Sequence, residues 1–261
     1  MTHRRPSLAP HTPPKPQLQD ALARIARELE DRPLRSSSLA RLMREIFGGS
    51  DAAGAWDWRI AYDAMQAAAV LRVVQGTDQD ALTSAELLAS RLLTETRRSE
   101  QQIRLQQFST PLPYAALVAR AAAIRSGETI LEPSAGTGAL AGFALRGGGK
   151  AMLNEIDPFR RALLEAVFAV EVTGHDAEHI DDLLATPDLP GVIAMNPPFA
   201  SSVDSSRDKH IAARHQISAA KRLAPARDAS HSARSSAIAK LRLALTIPSH
   251  VYRKLGTTVE T

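Results

Sequence analysis

The sequence of 261 residues contains no cysteine, few aromatic residues and no long apolar run. The absence of cysteine excludes disulfides, cysteine-ligated zinc and thiol catalysis. No apolar stretch is long enough to cross a bilayer, so we expect no membrane partner. Arg4 and Arg5 are not followed by the apolar segment of a secretory signal. These features favour a cytoplasmic protein.

Acidic residues are scarce in the last quarter of the chain, where basic residues dominate. Residues 201–261 carry 11 Lys and Arg against 4 Asp and Glu, whereas residues 1–200 carry 21 against 24. A basic segment of this kind is typical of proteins that bind a polyanion such as nucleic acid. It also occurs as a solvated tail without a partner, and both interpretations stay open.

Composition and periodicity divide the chain into four segments and predict the α/β fold class. Residues 1–16 contain five prolines and no apolar period, which predicts a disordered arm. Residues 17–105 repeat apolar positions at helical steps, which predicts an all-helical module whose last helix covers 81–103. Residues 106–223 alternate strands with helices, the pattern of βαβ units and a mostly parallel sheet. Residues 224–261 are irregular and basic, and because no clear fifth strand follows, the sheet could be incomplete there.

A glycine-rich turn follows the first predicted strand, in the sequence LEPSAGTGAL. The strand ends at Glu132, and Gly136 and Gly138 permit a tight turn that lets the main chain approach a ligand. The next helix presents free N–H groups, as in nucleotide-binding sites. Because the pattern is only G-x-G, without a third glycine, it suits a nucleoside better than a dinucleotide.

Four polar residues follow the four predicted strands. Glu132, Glu155, Asp176 and Asn196 are separated by 23, 21 and 20 residues. In open α/β sheets ligands bind at the carboxyl ends of the strands, so these residues are expected at one site. Glu155 lies about 20 residues beyond the glycine turn, where a carboxylate accepts bonds from ribose hydroxyls. Asp176 is suited to accept from an adenine amino group.

The fourth predicted strand runs directly into Asn-Pro-Pro-Phe. Pro197 and Pro198 lack N–H groups and must form a stiff, extended segment. Asn196 offers an amide acceptor and donor, and Phe199 offers a flat face. Together they are suited to a planar group that carries an exocyclic amine. The alternative is a simple turn that ends the strand.

In the order of these motifs, the chain resembles S-adenosylmethionine-dependent methyltransferases that modify adenine N6 in DNA. The family has a D/E-P-x-x-G-x-G loop, two cofactor-binding acids and an Asn/Asp-Pro-Pro-Phe/Tyr catalytic tetrapeptide. An F-x-T-P-like segment, matched by residues 108–111, precedes them and touches the methionine part of the cofactor. The resemblance implies as catalytic residues Asn196, Pro197, Pro198 and Phe199. It implies as cofactor-binding residues Phe108, Thr110, Pro111, Glu132, Ser134, Gly136, Gly138, Glu155 and Asp176.

The resemblance covers residues 101–223 and implies a Rossmann-like class I methyltransferase fold with S-adenosyl-L-methionine as cofactor. The implied reaction is methyl transfer to the exocyclic N6 of adenine in DNA. The Asn196 side chain and the Pro197 carbonyl would accept the amine protons while Phe199 stacks on a base taken out of the duplex. The chain is also similar to methylase modules that mobile-element proteins carry beside helicase-like domains, which implies a helicase-type partner.

Three alternatives stay open. The same tetrapeptide serves enzymes that methylate RNA bases or protein glutamine amides, although the basic region after residue 201 favours nucleic acid. His175, Glu178 and His179 fit an H-x-x-E-H metal motif, but the motif lies at a strand end and we expect no metal. Finally, the family pattern breaks after Pro225 and resumes only near the chain end, as in a truncated, inactive fragment that binds the cofactor.

Overall fold

The computed structural model describes residues 12–77, 80–96, 109–184, 190–196 and 214–219. Its first elements are the helices α1 (Lys15–Asp31), α2 (Ser36–Phe47), α3 (Trp58–Gln75) and α4 (Ala81–Arg91). Strands and helices then alternate: α5 (Leu112–Ala122), β1 (Thr129–Glu132), α6 (Ala139–Arg146), β2 (Lys150–Asn154), α7 (Pro158–Phe168), β3 (Val172–Thr173), a 3-10 turn (Ala177–His179), α8 (Ile180–Leu183), β4 (Val192–Ile193) and α9 (214–219).

The four described strands form a parallel sheet in the order β3-β2-β1-β4. Leu131 at the centre of β1 is aligned with Met152 on one side and with Ile193 on the other. The chain moves outward from β1 to β2 and β3 and then returns to the opposite side of β1. The carboxyl ends of β1 and β4 therefore lie at a topological switch point, where α/β sheets bind ligands. The predicted α/β class with a parallel sheet is confirmed.

Helix α3 packs against both α6 and α7, the two helices that connect the first three strands. Gly142 permits the close approach of α6, because a Cβ atom there would lie 2.8 Å from the Val70 side chain. One continuous core consequently extends from Ile25 in α1 to Leu164 in α7. The helical segment and the α/β segment thus share a core, while the predicted boundary at residue 105 lies outside the described residues.

Helices α8 and α9, which follow β3, cover part of the face of the sheet opposite to α6. Leu131 in β1, Ile180 in α8 and Ala219 in α9 form a second buried cluster. Helix α9 lies within the basic segment 201–261. None of the helices in the described ranges is long and apolar enough to span a membrane.

The element bounds correct two details of the sequence prediction. Helix α1 begins at Lys15, two residues inside the segment expected to be an arm. The fourth helix was predicted over 81–103, but it ends at Arg91, where the chain turns to an extended conformation. Beyond this end, Gln66 of α3 donates a hydrogen bond of 3.1 Å to buried Glu95. Contacts with α3 outweigh local helix propensity here.

The shared core makes a prediction about stability. Ile25 is fully buried, so Ile25→Ala should lower the free energy of unfolding by about 2–5 kcal/mol. Urea denaturation is followed by far-UV circular dichroism for the whole chain and by tryptophan fluorescence for the helical segment, which contains both tryptophans. Because one core joins the two segments, the two transitions should coincide.

The matched control is Leu87→Ala on α4, because Leu87 is 51% exposed. This change should alter stability by no more than about 0.5 kcal/mol. Separate transitions for the two probes would contradict the shared core.

Candidate functional site

The turn between β1 and α6 depends on its glycines. Gly136 and Gly138 have φ values of +57° and +86°, in the left-handed region that disfavours other residues. A Cβ atom at Gly138 would also lie 2.6 Å from the ring of Phe168. The main-chain N–H of Ala135 donates to the carbonyl of Asn154 at 2.9 Å. The turn is therefore fastened to the end of β2.

Glu155, immediately after β2, holds the same turn through its side chain. Its Oε2 accepts the Gly136 N–H at 2.7 Å, and its Oε1 accepts the Asp157 N–H at 2.9 Å. The residue is only 5% exposed. Burial raises the pKa of Glu155, while the charge of Arg160 and the two N–H donors oppose this rise. Each carboxylate oxygen has a second lone pair, so Glu155 is able to accept further bonds from a ligand.

Glu132, at the end of β1, is a second buried carboxyl group at this edge. Its Oε2 accepts the N–H of Ala141 in the first turn of α6 at 3.1 Å. Burial raises the pKa of Glu132 well above its usual range, the Ala141 N–H opposes this rise, and the charge of Glu155 adds to it. The Glu132 side chain therefore contacts the beginning of α6.

The segment before α5 connects the end of β4 to the glycine turn. Asn196 donates a hydrogen bond from Nδ2 to Oγ1 of Thr110 at 3.1 Å. Next to Thr110, the Ser109 hydroxyl accepts from the Thr137 hydroxyl at 3.0 Å. Ser109 and Thr137 are both buried. Three motifs that are distant in sequence thus meet at the switch point between β1 and β4.

The remaining predicted site residues lie at the edges of this arrangement. Pro111 precedes the first turn of α5. Ser134 donates from Oγ to Oε1 of Gln216 at 3.4 Å. Asp176 is exposed, and its carboxylate accepts the N–H of Glu178 at 2.9 Å, so it begins the 3-10 turn. The predicted residues Phe108, Pro197, Pro198 and Phe199 lie outside the described residues.

Asn154 is a structural residue of the site that the sequence analysis missed. It is 1% exposed, and its Nδ2 donates to the carbonyls of Pro133 at 2.8 Å and His175 at 2.9 Å. Its Oδ1 accepts from the Thr173 hydroxyl and the His175 N–H, both at 2.8 Å. One amide therefore links the segments that follow β1, β2 and β3. The signal available in the sequence was a polar residue at the end of an apolar strand. A buried amide at that position must have hydrogen-bond partners.

Two more residues at this edge were not predicted. Ile156 follows Glu155 and is 58% exposed, so it presents apolar surface beside the buried carboxylate. Gln216 of α9 is buried and contacts Ser134 of the glycine turn. Ile156 lies in an irregular segment between β2 and α7, where no periodicity gives the side-chain direction.

Within the described ranges, no group of three or more His, Cys, Asp or Glu side chains is placed to hold a metal ion. Of the alternative H-x-x-E-H motif, Glu178 instead pairs with His215 of α9, with Oε2 and Nδ1 3.2 Å apart. This pair contributes to the contact between α9 and the 3-10 turn.

Comparisons of the chain with protein-family models, with curated proteins and with solved structures found no match.

Burial of Glu132 predicts a pH-dependent difference between the wild type and Glu132→Gln. The unfolded chain ionises this group near about pH 4.3, whereas the folded protein holds the proton to higher pH. Wild-type stability should therefore fall with rising pH relative to the variant, by at most about 1.4 kcal/mol per pH unit, until the folded group also ionises. The glutamine amide keeps an acceptor for Ala141.

Urea denaturation of both proteins between pH 4 and pH 8 measures this difference. Glu171→Gln is the control, since Glu171 is exposed just before β3. A difference between the wild type and Glu132→Gln that does not change with pH would contradict the burial effect.

Proposed function

We propose that the chain transfers a methyl group from S-adenosylmethionine to the exocyclic N6 of adenine in DNA. The supporting observation is the arrangement at the switch point of the parallel sheet. The glycine turn after β1 is bound to Glu155, and Asn196 after β4 is bound to Thr110. A Rossmann-like class I methyltransferase places its cofactor and target amine at this edge, and the order β3-β2-β1-β4 is compatible with such a fold.

The cofactor would lie along the carboxyl ends of β1, β2 and β3. Gly136 and Gly138 bring the main chain close to the ligand, and Glu155 accepts from the ribose hydroxyls. The exposed side chain of Ile156 offers apolar surface to the adenine ring. Exposed Asp176 is available to accept from the adenine amino group. Thr110 and its neighbours lie toward the methionine part of the cofactor.

The target amine would lie beside Asn196. Thr110 anchors the amide nitrogen of this residue, which directs its carbonyl oxygen Oδ1 to accept a proton of the substrate amine. An exocyclic amine is a poor nucleophile because its lone pair is delocalised into the ring, and such an acceptor helps to localise the pair on nitrogen. When bound, S-adenosylmethionine would supply the methyl group: nitrogen would attack the methyl carbon, the carbon–sulfur bond would break with its electrons on sulfur, and one amine proton would pass to solvent. Alignment of nitrogen, carbon and sulfur supplies much of the rate.

The basic segment 201–261 supports nucleic acid as the substrate, because its Lys and Arg exceed its acidic residues by 11 to 4. An adenine stacked inside a duplex cannot reach a site at the edge of a sheet. The base must therefore be flipped out of the duplex or already be single-stranded. Pro197 and Phe199, assigned from the sequence, would provide the second acceptor and a stacking surface.

The decisive experiment measures tritiated methyl transfer from S-adenosylmethionine to DNA, RNA and protein in parallel, followed by nucleoside analysis. We expect label in N6-methyladenine of DNA. Label found only in RNA, or only in protein glutamine, would show that RNA or protein is the substrate instead of DNA. The absence of any transfer, with cofactor binding retained, would identify a binding protein without this activity.

Asn196→Ala should reduce methyl transfer by about a hundredfold or more, the usual effect of losing one preorganised hydrogen-bonding group at a reacting centre. Cofactor affinity, measured by calorimetry, should stay within about twofold, because Asn196 contacts the substrate amine rather than the cofactor. Gln75→Ala, at the exposed end of α3, is the matched amide control. Full activity of the Asn196 variant would show that another group holds the amine.

Glu155→Gln should weaken S-adenosylmethionine binding by about ten- to a hundredfold, the equivalent of a hydrogen bond to a charged group. The amide retains one acceptor for the main-chain donors but loses the charge and the second acceptor. Calorimetric titration of the wild type, this variant and the exposed-site control Glu171→Gln compares the affinities. Equal affinities in all three would argue against contact between Glu155 and the ribose.

A further inference from the structure

Four buried charged side chains join helix α3 to the beginning of α7. Arg59 Nη1 lies 3.0 Å from Asp157 Oδ2 and 3.5 Å from Asp63 Oδ2. Arg160 Nη2 lies 2.8 Å from Asp63 Oδ1. Each of the four residues is at most 9% exposed. We call Arg59, Asp63, Asp157 and Arg160 the α3–α7 charge network.

The network fixes Asp157 from two sides. Its Oδ1 accepts the N–H groups of Phe159 at 2.9 Å and Arg160 at 3.1 Å and so caps α7, while its Oδ2 accepts from Arg59. Buried ion pairs contribute little to net stability, because desolvation costs offset their attraction. An apolar contact between α3 and α7 would serve stability equally well, so the network calls for another explanation.

The same Asp157 is a direct partner of Glu155. Its main-chain N–H donates to Glu155 Oε1 at 2.9 Å, while Gly136 donates to the other carboxylate oxygen at 2.7 Å. Arg160 also acts on Glu155, because its positive charge opposes the rise in the Glu155 pKa that burial causes. A continuous path of hydrogen bonds thus leads from α3 through Asp157 and Glu155 to the glycine turn.

We propose that Arg59 and Asp63, two residues of the helical segment, are positioning residues for Glu155 and thereby set the affinity for the cofactor. Arg59 holds Asp157, whose N–H orients the carboxylate. Asp63 holds Arg160, which keeps positive charge near that carboxylate. The helical segment therefore contributes to the binding site without contacting the ligand. The effect on affinity rests on the proposed function, whereas the effect on Glu155 does not.

A double-mutant cycle separates positioning from a purely structural role. Calorimetry gives the dissociation constant of S-adenosylmethionine for the wild type, Arg59→Met, Glu155→Gln and the double variant. We expect Arg59→Met to weaken binding about tenfold, the equivalent of about one hydrogen bond. The double variant should bind no more weakly than Glu155→Gln alone, because Arg59 acts through Glu155. Additive losses, or no loss in Arg59→Met, would overturn the proposal.

The matched control for the loss of an arginine is Arg72→Met, on the same helix. Arg72 pairs with Glu30 at 3.4 Å and is about one-third exposed, remote from the network. If the Arg59→Met variant does not fold because an acidic side chain stays buried without its partner, the double variant Arg59→Met/Asp63→Leu is used in its place. This pair of changes removes one charge of each sign and leaves the network neutral. The same criteria for coupling with Glu155→Gln then apply.

Amide hydrogen exchange tests the positioning without any cofactor. In Arg59→Met, the amides of Gly136 and Asp157 should exchange about tenfold faster, because their acceptor is no longer held. The Ala141 amide, whose acceptor is Glu132, should be unaffected, and Arg72→Met should change none of the three. Equal acceleration of all three amides, or none, would overturn the proposal. If the wild type fails to bind S-adenosylmethionine, the proposed function fails, and the exchange data alone decide the positioning role.

Discussion

The buried carboxylate of Glu155 is the interaction on which the arrangement of this site depends. It accepts one main-chain N–H from the glycine turn after β1 and another from the residue that caps α7. A single side chain thereby fixes the relative position of two helix beginnings at the edge of the sheet. The interaction carries a cost, because burial disfavours the charged form. That cost is offset by the two donors and by the neighbouring positive charge of Arg160.

The shared core explains why the site and the helical segment belong together. Helix α3 covers α6 and α7, which are also the helices whose beginnings Glu155 connects. Any shift of α3 would therefore move both partners of the carboxylate. Asn154 performs the corresponding task on the strand side, because its amide links the segments after β1, β2 and β3. On the helix side, the charged side chains of the α3–α7 charge network hold the site. On the sheet side, the neutral amide of Asn154 holds it.

The local features of this fold were predictable, and the contacts between distant segments were not. Alternating strands and helices predicted the parallel sheet, and polar residues after each strand led to the candidate site at its carboxyl edge. Helix α4 was predicted too long, because the helical pattern continues past Arg91 while contacts with α3 redirect the chain. The bond between Arg59 and Asp157 joins residues 98 positions apart. Periodicity does not predict such a pair, because Arg59 alone is compatible with an exposed helix face and Asp157 alone with a helix cap.

The same limit applies within the candidate site. The sequence named Glu155 and Asn196, but not the partners that orient them. Gly136 and Thr110 were expected to contact the cofactor, yet in the structure each also binds another site residue. The N–H groups at the glycine turn and at the beginning of α6 restrict the type of ligand. Gly136 already donates to Glu155, and Ala141 already donates to Glu132. A pyrophosphate would compete with these two carboxyl groups for the N–H donors. A nucleoside whose far end carries a sulfonium cation avoids that conflict, which supports the proposal of S-adenosylmethionine rather than a dinucleotide.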